Sequence, residues 1–492
     1  MNYTYTLGQQ IGDSFLGPSP DWYKLTIVGF LAINPVLLVA VGPFVTGWVI
    51  LLQFIFTLAM ALRCYPLQPG GLIAFEAVLI GMTSPATVIH EVEANFEVIL
   101  LLIFMVAGVF FLKELLLFIF TKILVTIRSK ELLAVMMCAV AALLSAFLDA
   151  LTVTAVVIGV MAALYSVHQN VAMTHQGTDI DVQEREMAEF CAYLRSLVMH
   201  AAIGTALGGV TTVVGEPQNL LIATTAGWEF QEFFIRMAPV SVPVIAVSLA
   251  TCALLERFRL FGYGATIPPS VRTTLINFDR AQTESKSARA TGHLLIQGLV
   301  VGFLVIGLAF QLAPVGIIGL AVIVLATAFT GITEERALGR AFEEALPFTA
   351  LLVVFFVIVA VIHDQHLFQP ITGWVLAFPP GSQPAILFLV NGALSMISDN
   401  VFVATVYMSE VKAALDSGTI DRAQFDLLTV AINTGTNLPS IATPNGQAAF
   451  LFLLTSSLAP LIQLSYGRMV KMALPYTFAV TITGLLAVVY LL

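Results

Sequence analysis

Charged residues are scarce in this chain. Only 10% of its 492 residues are Asp, Glu, Lys or Arg, whereas 59% are hydrophobic, and the mean hydropathy is +0.95. Soluble domains carry about 25% charged residues, so this composition excludes an ordinary soluble protein and predicts an all-α membrane protein with several spans. The net charge of −9 decides little, because membrane orientation follows the placement of Lys and Arg, and we expect no nucleic-acid partner. We expect the lipid bilayer to surround the chain.

Cysteine is also rare. The four cysteines, Cys64, Cys138, Cys191 and Cys252, lack CxxC spacing and lie in or beside apolar runs, which favours buried free thiols over disulfides or a metal site. Zinc and copper favour nitrogen and sulfur ligands, and the sequence offers no cluster of His and Cys. We therefore expect no resident cofactor.

Long apolar runs make up most of the rest. A bilayer core about 30 Å thick needs roughly 20 apolar residues per helix. Such runs predict spans near 24–42, 43–63, 71–89, 97–120, 195–226, 239–256, 292–313, 315–331, 345–362, 429–455 and 470–492.

Two further apolar runs, 131–165 and 384–415, are too long for one span. Asp149 interrupts the first run and the Ser-Asp-Asn sequence at 398–400 interrupts the second. A continuous helix of about 35 residues would be roughly 50 Å long. The interruptions predict re-entrant helical hairpins with polar tips. Two full spans joined by a very tight turn are the alternative.

The basic residues agree with this topology. With the N-terminus cytoplasmic and both hairpins re-entrant, all but four of the 21 Lys and Arg fall on the cytoplasmic side, as the positive-inside rule requires. Arg236, Lys412 and Arg422 fall outside, and Lys113 stays within a span. The C-terminus then lies on the side opposite the N-terminus.

The two hairpins resemble each other in sequence. SAFLDALTVTAV (145–156) can be laid on SMISDNVFVATV (395–406), which places Asp149 opposite Asp399. The topology inserts the first hairpin from the cytoplasm and the second from outside. This match predicts two repeats of inverted topology.

A second match follows the first in the same order along the chain. GGVTTVVGEPQN (208–219) can be laid on GTNLPSIATPNG (435–446), which places Pro217 opposite Pro444. Each stretch predicts a transmembrane helix interrupted by a break rich in Gly, Pro and Asn. Inverted repeats with interrupted helices indicate the binding site of a secondary transporter.

These features predict a division of the chain into four parts. The parts are an N-terminal segment with the first transmembrane helix (1–42), a first inverted repeat (43–256) with its hairpin at about 131–165 and its broken helix at about 195–226, a cytoplasmic linker (257–291), and a second inverted repeat (292–492) with its hairpin at about 384–415 and its broken helix at about 429–455.

Ionisable groups at membrane depth need shielding by protein or by a water-filled cavity. We therefore predict that Asp149 and Asp399 form the site where a proton and Na⁺ are coupled. Burial favours the protonated form of a carboxylate and a bound cation favours the ionised form. Competition between Na⁺ and H⁺ for one group, combined with alternating access, gives antiport.

Neutral oxygen ligands accompany these carboxylates. Pro217 removes a backbone donor and frees carbonyls of the preceding turn, and hydroxyl, amide and carboxylate oxygens are hard ligands suited to a small cation. The candidate cation ligands are Thr152, Glu216, Asn219, Asn400, Thr434, Asn437, Thr443 and Asn445.

Other interpretations remain open on these residues alone. Asp149 and Asp399 are equally the residue type that caps a hairpin tip, and Glu216 suits a solvated break. Among functions, a sodium-coupled symporter of dicarboxylate-type anions would need cationic or dense hydroxyl donors at the site. An intramembrane aspartyl protease needs two carboxylates that share a proton across a water, and the Gly-x-Gly-Asp pattern of such proteases is absent. A passive channel is the third alternative.

Several stretches resemble the NhaB family of bacterial sodium/proton antiporters. They are PDWYKL (20–25), FIFTLAMALRCYPLQPGGLIAFEAVLIGMTS (54–84), FLDALTV (147–153) and SDNVFVATVY (398–407). The resemblance covers nearly the whole chain. It implies a multi-pass protein of the bacterial inner membrane that exports Na⁺ and Li⁺ in exchange for H⁺. In that membrane, the topology from the basic residues places the N-terminus in the cytoplasm and the C-terminus in the periplasm.

More distantly, the hairpin tips and broken helices are similar to those of divalent-anion/sodium symporters of the ion-transporter superfamily. That similarity implies a homodimer with scaffold and moving transport domains. Those symporters have Ser-Asn-Thr at the tips, whereas this chain has Asp149-Ala150-Leu151 and Asp399-Asn400-Val401. Ionisable groups thus replace neutral ones, as proton exchange demands.

Overall fold

A computed structural model of the chain describes residues 7–174, 180–267 and 287–492. Every regular element within these residues is a helix. In the first half, the helices are α1 (Leu7–Ser14), α2 (Asp21–Val41), α3 (Pro43–Ala59), α4 (Leu67–Leu79), α5 (Pro85–Ala94), α6 (Phe96–Phe110, with a π-helical turn at Leu101–Met105), α7 (Lys113–Thr126), α8 (Lys130–Ser145), α9 (Ala150–Thr174), α10 (Ile180–Gly209), α11 (Pro217–Ala226) and α12 (Phe230–Phe258).

The second half is helical in the same way. Its helices are α13 (Ala288–Ala309), α14 (Val315–Thr330), α15 (Glu335–Asp364), α16 (Gln369–Leu376), α17 (Gln383–Ser395), α18 (Asn400–Asp416), α19 (Arg422–Asn437), α20 (Ala448–Thr455), α21 (Leu458–Leu461) and α22 (Tyr466–Tyr490), with 3₁₀ turns at Pro380–Ser382 and Pro439–Ala442.

Six of the described helices are long and apolar enough to cross a membrane, or eight spans if each of two bent helix pairs counts as one. The most apolar window of α10 is 89% buried within the protein, whereas that of α2 is only 11% buried. The core therefore forms around α10, and α2 lies at the periphery with its apolar side chains turned outward. The chain is a multi-pass membrane protein.

The predicted spans near 71–89 and 97–120 have the wrong bounds. Gly81, with a φ of +80°, follows the end of α4, and the Ser84 hydroxyl accepts a hydrogen bond from Thr87 N (3.1 Å) to begin a separate helix, α5. A 64° bend then separates α5 from α6. The spans were predicted from apolar content, whereas Gly81 and the Ser84-Pro85 pair are the turn and helix-start signals that mark these bounds.

Both predicted hairpin regions consist of two helices joined by a four-residue turn, α8 with α9 and α17 with α18. Helix α8 has 16 residues and α17 has 13, fewer than the roughly 20 needed to cross a bilayer. The predicted breaks also occur, between α10 and α11 and between α19 and α20. Helix α10 begins at Ile180 and α19 at Arg422, earlier than the predicted starts at 195 and 429.

Helix packing brings the hairpins to the breaks. Helix α8 packs along α10 and α17 packs along α19, while the second arms cross between the halves of the chain: α9 contacts α20, and α18 contacts α11. The hairpin tips therefore meet both breaks in the protein interior. Of the predicted linker 257–291, residues 268–286 lie outside the described residues.

Candidate cation and proton site

Four helices begin at one small cavity. The cavity has a volume of about 30 Å³, which holds one or two water molecules or a small dehydrated cation. The helices α9, α11, α18 and α20 each direct their N-terminal residues into it. The residues immediately before these helices are Asp149, Glu216, Asp399 and Gln447. Three of the four are carboxylates.

These carboxylates are shielded from solvent. Asp149 is 6% exposed and Glu216 is 5% exposed, whereas Asp399 is only partly buried. None of the residues that line the cavity is Lys, Arg or His. Burying charge without a partner is costly, and the lining itself supplies no positive side chain as a partner for these carboxylates.

Backbone donors fix the two aspartates. Asp149 Oδ2 accepts a hydrogen bond from Thr152 N (3.1 Å) and lies 3.5 Å from Thr152 Oγ1. Asp399 Oδ1 accepts from Val401 N (2.9 Å) and Phe402 N (3.4 Å). Both residues therefore cap their helices, as expected from the alternative in which the two aspartates cap the hairpin tips. Capping and cavity lining coexist, because the caps hold both carboxylates at the cavity wall.

Two side-chain amides hold Glu216. Gln218 Nε2 donates to Glu216 Oε2 (2.5 Å), and Gln447 Nε2 donates to Glu216 Oε1 (3.3 Å). Gln218 also donates to Asn437 Oδ1 (2.7 Å), which lies on α19. The amides thus connect the two broken helices through one carboxylate.

Asn219 satisfies the backbone of the first break. Its Nδ2 donates to Gly209 O (2.6 Å) and Thr212 O (2.7 Å), two carbonyls that the interrupted helix leaves without helical partners. Its Oδ1 accepts a hydrogen bond from Asn437 Nδ2 (3.3 Å). Asn219 therefore stabilises the frame of the break, outside the cavity lining.

Threonine hydroxyls tie the hairpin tips to the breaks. Thr212 Oγ1 donates to Ala146 O at the first tip, and Thr443 Oγ1 donates to Met396 O at the second (2.5 Å). Each hydroxyl satisfies a carbonyl of a tip, where the helix ends. The tips are thereby held at the depth of the breaks.

A larger cavity of about 500 Å³ reaches Asp399. Its walls are mainly apolar and include Thr152 and Asn445, and it extends to Tyr65 and Pro66 in the loop between α3 and α4. Asn445 Oδ1 is buried and has no hydrogen-bond partner among the described residues. This cavity provides space for water between the loop and the carboxylates.

Comparison with known proteins identifies the family of this chain. Residues 3–492 match the family described as Bacterial Na⁺/H⁺ antiporter B (NhaB). The chain belongs to the NhaB family. The resemblance found in the sequence is thus confirmed, and membership identifies a secondary transporter that exchanges Na⁺ for H⁺, not an enzyme.

Curated relatives of this NhaB-family chain are similar along nearly their whole length. Proteins named Na(+)/H(+) antiporter NhaB are 58% identical in Vibrio cholerae, over 99% of this chain and 94% of the relative, and 59% identical in Marinomonas sp., over 99% of both. The relative in Teredinibacter turnerae is 61% identical over 97% of both chains. These relatives support antiport and not the alternative of a sodium-coupled anion symporter.

The structure brings some of the predicted site residues of this NhaB-family chain together and separates others. Asp149, Glu216, Asp399 and Asn400 line the small cavity, whereas Thr152 and Asn445 line the larger one together with Asp399. The remaining four line neither cavity: Asn219, Thr434, Asn437 and Thr443. Thr434 Oγ1 donates to Val430 O (2.7 Å) within its own helix.

Two residues of the site were missed in the sequence. Gln218 and Gln447 line the cavity, and each is 1% exposed. Gln447 directly precedes the apolar run of α20, a position where a polar residue often ends a break. That signal is weak, because a neutral amide is far less unusual in a membrane helix than a carboxylate.

Proposed function

We propose that this chain exchanges Na⁺ for H⁺ at the junction of α9, α11, α18 and α20. The observation that carries the proposal is three carboxylates around a 30 Å³ cavity whose lining includes no basic side chain. Asp149 and Asp399 are the coupling residues, and Glu216 is the third carboxylate. In this proposal, Na⁺ at Asp149 and Asp399 replaces the protons that otherwise neutralise them.

The neutral ligands follow from where the side chains lie. Asn400 lies at the cavity and contacts the hydroxyls of Ser395 and Ser440, so it can complete the shell of a bound cation. Thr152 and Asn445 line the route of approach. For Asn219, Thr434, Asn437 and Thr443 we propose a role in the frame, because each hydrogen-bonds within the breaks or helices.

We also propose that the two halves are inverted repeats, with the first at 43–256 and the second at 292–492. Equivalent hydrogen bonds support this: Ser145 Oγ donates to Thr205 O (2.8 Å), and Ser395 Oγ donates to Thr436 O (2.5 Å). The Thr212 and Thr443 bonds to the tips repeat in the same register.

Close helix contacts support the same register. A Cβ on Gly204 would lie 2.2 Å from Cys138 O, and a Cβ on Gly435 would lie 2.6 Å from Phe388 O. In this register Glu216 lies opposite Gln447, whereas the sequence match placed it opposite Thr443. Pro217 begins α11, but Pro444 lies inside the second break, so the two prolines are not equivalent.

Access to the site differs between its two sides. The larger cavity joins Asp399 to the loop at 60–66, which the proposed topology places in the cytoplasm. A second cavity of about 580 Å³, lined by Glu97, Trp228 and Glu229, lies near the other end of α11 and includes none of the three carboxylates. We infer an inward-facing state, with the reverse arrangement formed when the hairpins move.

The remaining assignments rest on the sequence and the family. We propose a bacterial inner-membrane location with the N-terminus cytoplasmic and the C-terminus periplasmic, because this arrangement places most Lys and Arg inside. Li⁺ is expected to follow Na⁺, since both are small hard cations. A homodimer, with the peripheral α2 facing lipid or a second copy, follows from the distant similarity to dimeric symporters.

The test uses everted vesicles from a host without its own antiporters. Respiration acidifies the lumen, a pH-sensitive dye reports it, and NaCl, LiCl or choline chloride is then added. We expect Na⁺ and Li⁺ to release protons in the wild type and to have no effect with Asp149→Asn. Asp416→Asn, at a 61% exposed side chain paired with Lys412, is the matched control.

Two outcomes would contradict the proposal. Normal exchange by well-inserted Asp149→Asn would remove that carboxylate from the transport path. Absence of a Na⁺ response from well-inserted wild-type protein would contradict the exchange itself. Na⁺-driven uptake of a labelled dicarboxylate by the same vesicles would then identify a symporter.

A further inference from the structure

The two helices that follow the breaks differ at one equivalent position. Glu216 precedes α11 and Gln447 precedes α20, and both residues have extended backbone, with φ and ψ of −146° and 147° for Glu216 and −130° and 114° for Gln447. Their backbones thus deliver the two side chains to the cavity in the same way. One is a carboxylate and the other its neutral amide.

The two side chains meet inside the cavity. Gln447 Nε2 lies 3.3 Å from Glu216 Oε1, while Gln218 Nε2 occupies the other carboxylate oxygen. All three side chains are at most 5% exposed. Glu216 therefore has an amide donor on each oxygen, and water has little access to replace either donor.

Amide donors change how a carboxylate competes for cations. A hydrogen bond donated to the ionised form favours that form over the protonated one. An amide supplies this donor without adding a charge of its own. Methionine has nearly the same volume but no donor for the carboxylate.

We propose that Gln447 is a positioning residue that, together with Gln218, holds Glu216 ready for a cation and weakens proton competition there. This inference rests on the proposed exchange at the same cavity. The other ionisable groups that face Glu216 are Asp149 from the start of α9 and Asp399 from the start of α18; α15 contributes Phe348. No basic residue of the lining can take over the role of the amides.

The neutrality of Gln447 matters as much as its donor. Replacement by Glu would place two carboxylates within hydrogen-bonding distance, and such pairs share one proton because both cannot ionise together. Gln447 therefore limits the cavity to three carboxylates.

The experiment compares Gln447→Met and Gln447→Glu with the wild type. The Na⁺ concentration for half-maximal exchange and the maximal rate are measured between pH 6.5 and 9 in proteoliposomes with an internal pH dye. For Gln447→Met we expect the pH at which Na⁺ exchange is half-maximal to rise by about one unit, while the maximal rate at high pH is retained. For Gln447→Glu we expect this pH to rise further.

Gln383→Met is the matched control. Gln383 is 4% exposed and also donates through its amide nitrogen, but to the backbone carbonyls Leu376 O and Phe378 O, away from the carboxylates. Its pH profile should match the wild type. A purely structural role for Gln447 predicts a lower maximal rate at every pH with an unmoved profile, and that result would overturn the inference.

A binding measurement keeps the test independent of turnover. NaCl is titrated into purified protein at pH 7 and pH 9, and its stabilisation against heating is compared between variants. We expect Gln447→Met to lose most of the Na⁺ effect at pH 7 and to keep it at pH 9. If the wild type exchanges Na⁺ for H⁺ but the Na⁺ titrations are identical for all variants, the role of Gln447 is refuted and the proposed function stands. If the wild type does not exchange, the proposed function itself is refuted.

Discussion

A buried charge cluster away from the cation site gives a strong test of stability. Glu256 on α12 accepts from Ser196 Oγ on α10 and lies 2.9 Å from His200 Nε2 and 3.3 Å from Lys130 Nζ at the start of α8. His200 also contacts Tyr476 on α22, with 2.7 Å between Nδ1 and the hydroxyl. Glu256 is 2% exposed and His200 is fully buried.

We expect Glu256→Ala to lower the free energy of unfolding by about 3–5 kcal/mol, because it leaves buried polar and charged partners without their acceptor. Glu256→Gln keeps an acceptor and should cost less. Unfolding is followed by tryptophan fluorescence while SDS is titrated into protein in mixed micelles.

Two further variants test whether the buried charge cluster causes the loss of stability in Glu256→Ala. Glu232→Ala removes the carboxylate from a pair that is about one-third exposed, with 2.7 Å between Arg236 and Glu232, and should cost about 0–1 kcal/mol. Glu256→Leu combined with Lys130→Met removes both charges and should recover part of the loss. If Glu256→Ala costs no more than Glu232→Ala, this cluster does not anchor α10, α12 and α22 as we reason.

Other consequences can be measured with the same protein. Competition for shared carboxylates predicts that the Na⁺ concentration for half-maximal exchange rises as the pH falls; a value independent of pH would refute a shared site. Gly435→Ala should destabilise the protein by about 1–3 kcal/mol, because the new Cβ would lie 2.6 Å from Phe388 O, whereas Gly298→Ala, in open space, should be neutral or stabilising. Thr443→Val should cost about 1–2 kcal/mol through the unpaired Met396 carbonyl, and an unchanged SDS midpoint would contradict that bond.

The sequence predicted the hairpins and breaks because polar residues inside apolar runs are costly and therefore conspicuous. Asp149 and Asp399 each close the turn between the two arms and immediately precede the second arm, where the interruptions indicated. The bounds of α4, α5 and α6 failed for the opposite reason. Apolar content extends across the turns at Gly81 and Ser84 closely enough to suggest one span, although Gly81 and the Ser84-Pro85 pair mark the end of one helix and the start of the next.

The residue types predicted which side chains could form the site, but not whether each side chain points into the cavity. Asp149, Glu216 and Asp399 could be selected because an ionisable group at membrane depth is costly and therefore usually marks a functional site. Asn219 and Thr443 have the chemistry of cation ligands, but their polar atoms bond the backbone of the break and the tip. Whether an amide faces a cavity or a carbonyl depends on helices distant in sequence.

The arrangement of the site explains why an exchanger needs broken helices. Helix N-termini carry partial positive charge and favour an anion, and backbone donors hold the carboxylates of Asp149 and Asp399 at the cavity. In the proposed exchange, a small cation replaces a proton at these carboxylates and a proton later replaces the cation. A fixed Lys or Arg in the cavity would neutralise the carboxylates permanently and remove this competition. Four N-termini at one cavity, whose lining includes no basic side chain, are therefore the arrangement that the proposed exchange of Na⁺ for H⁺ requires.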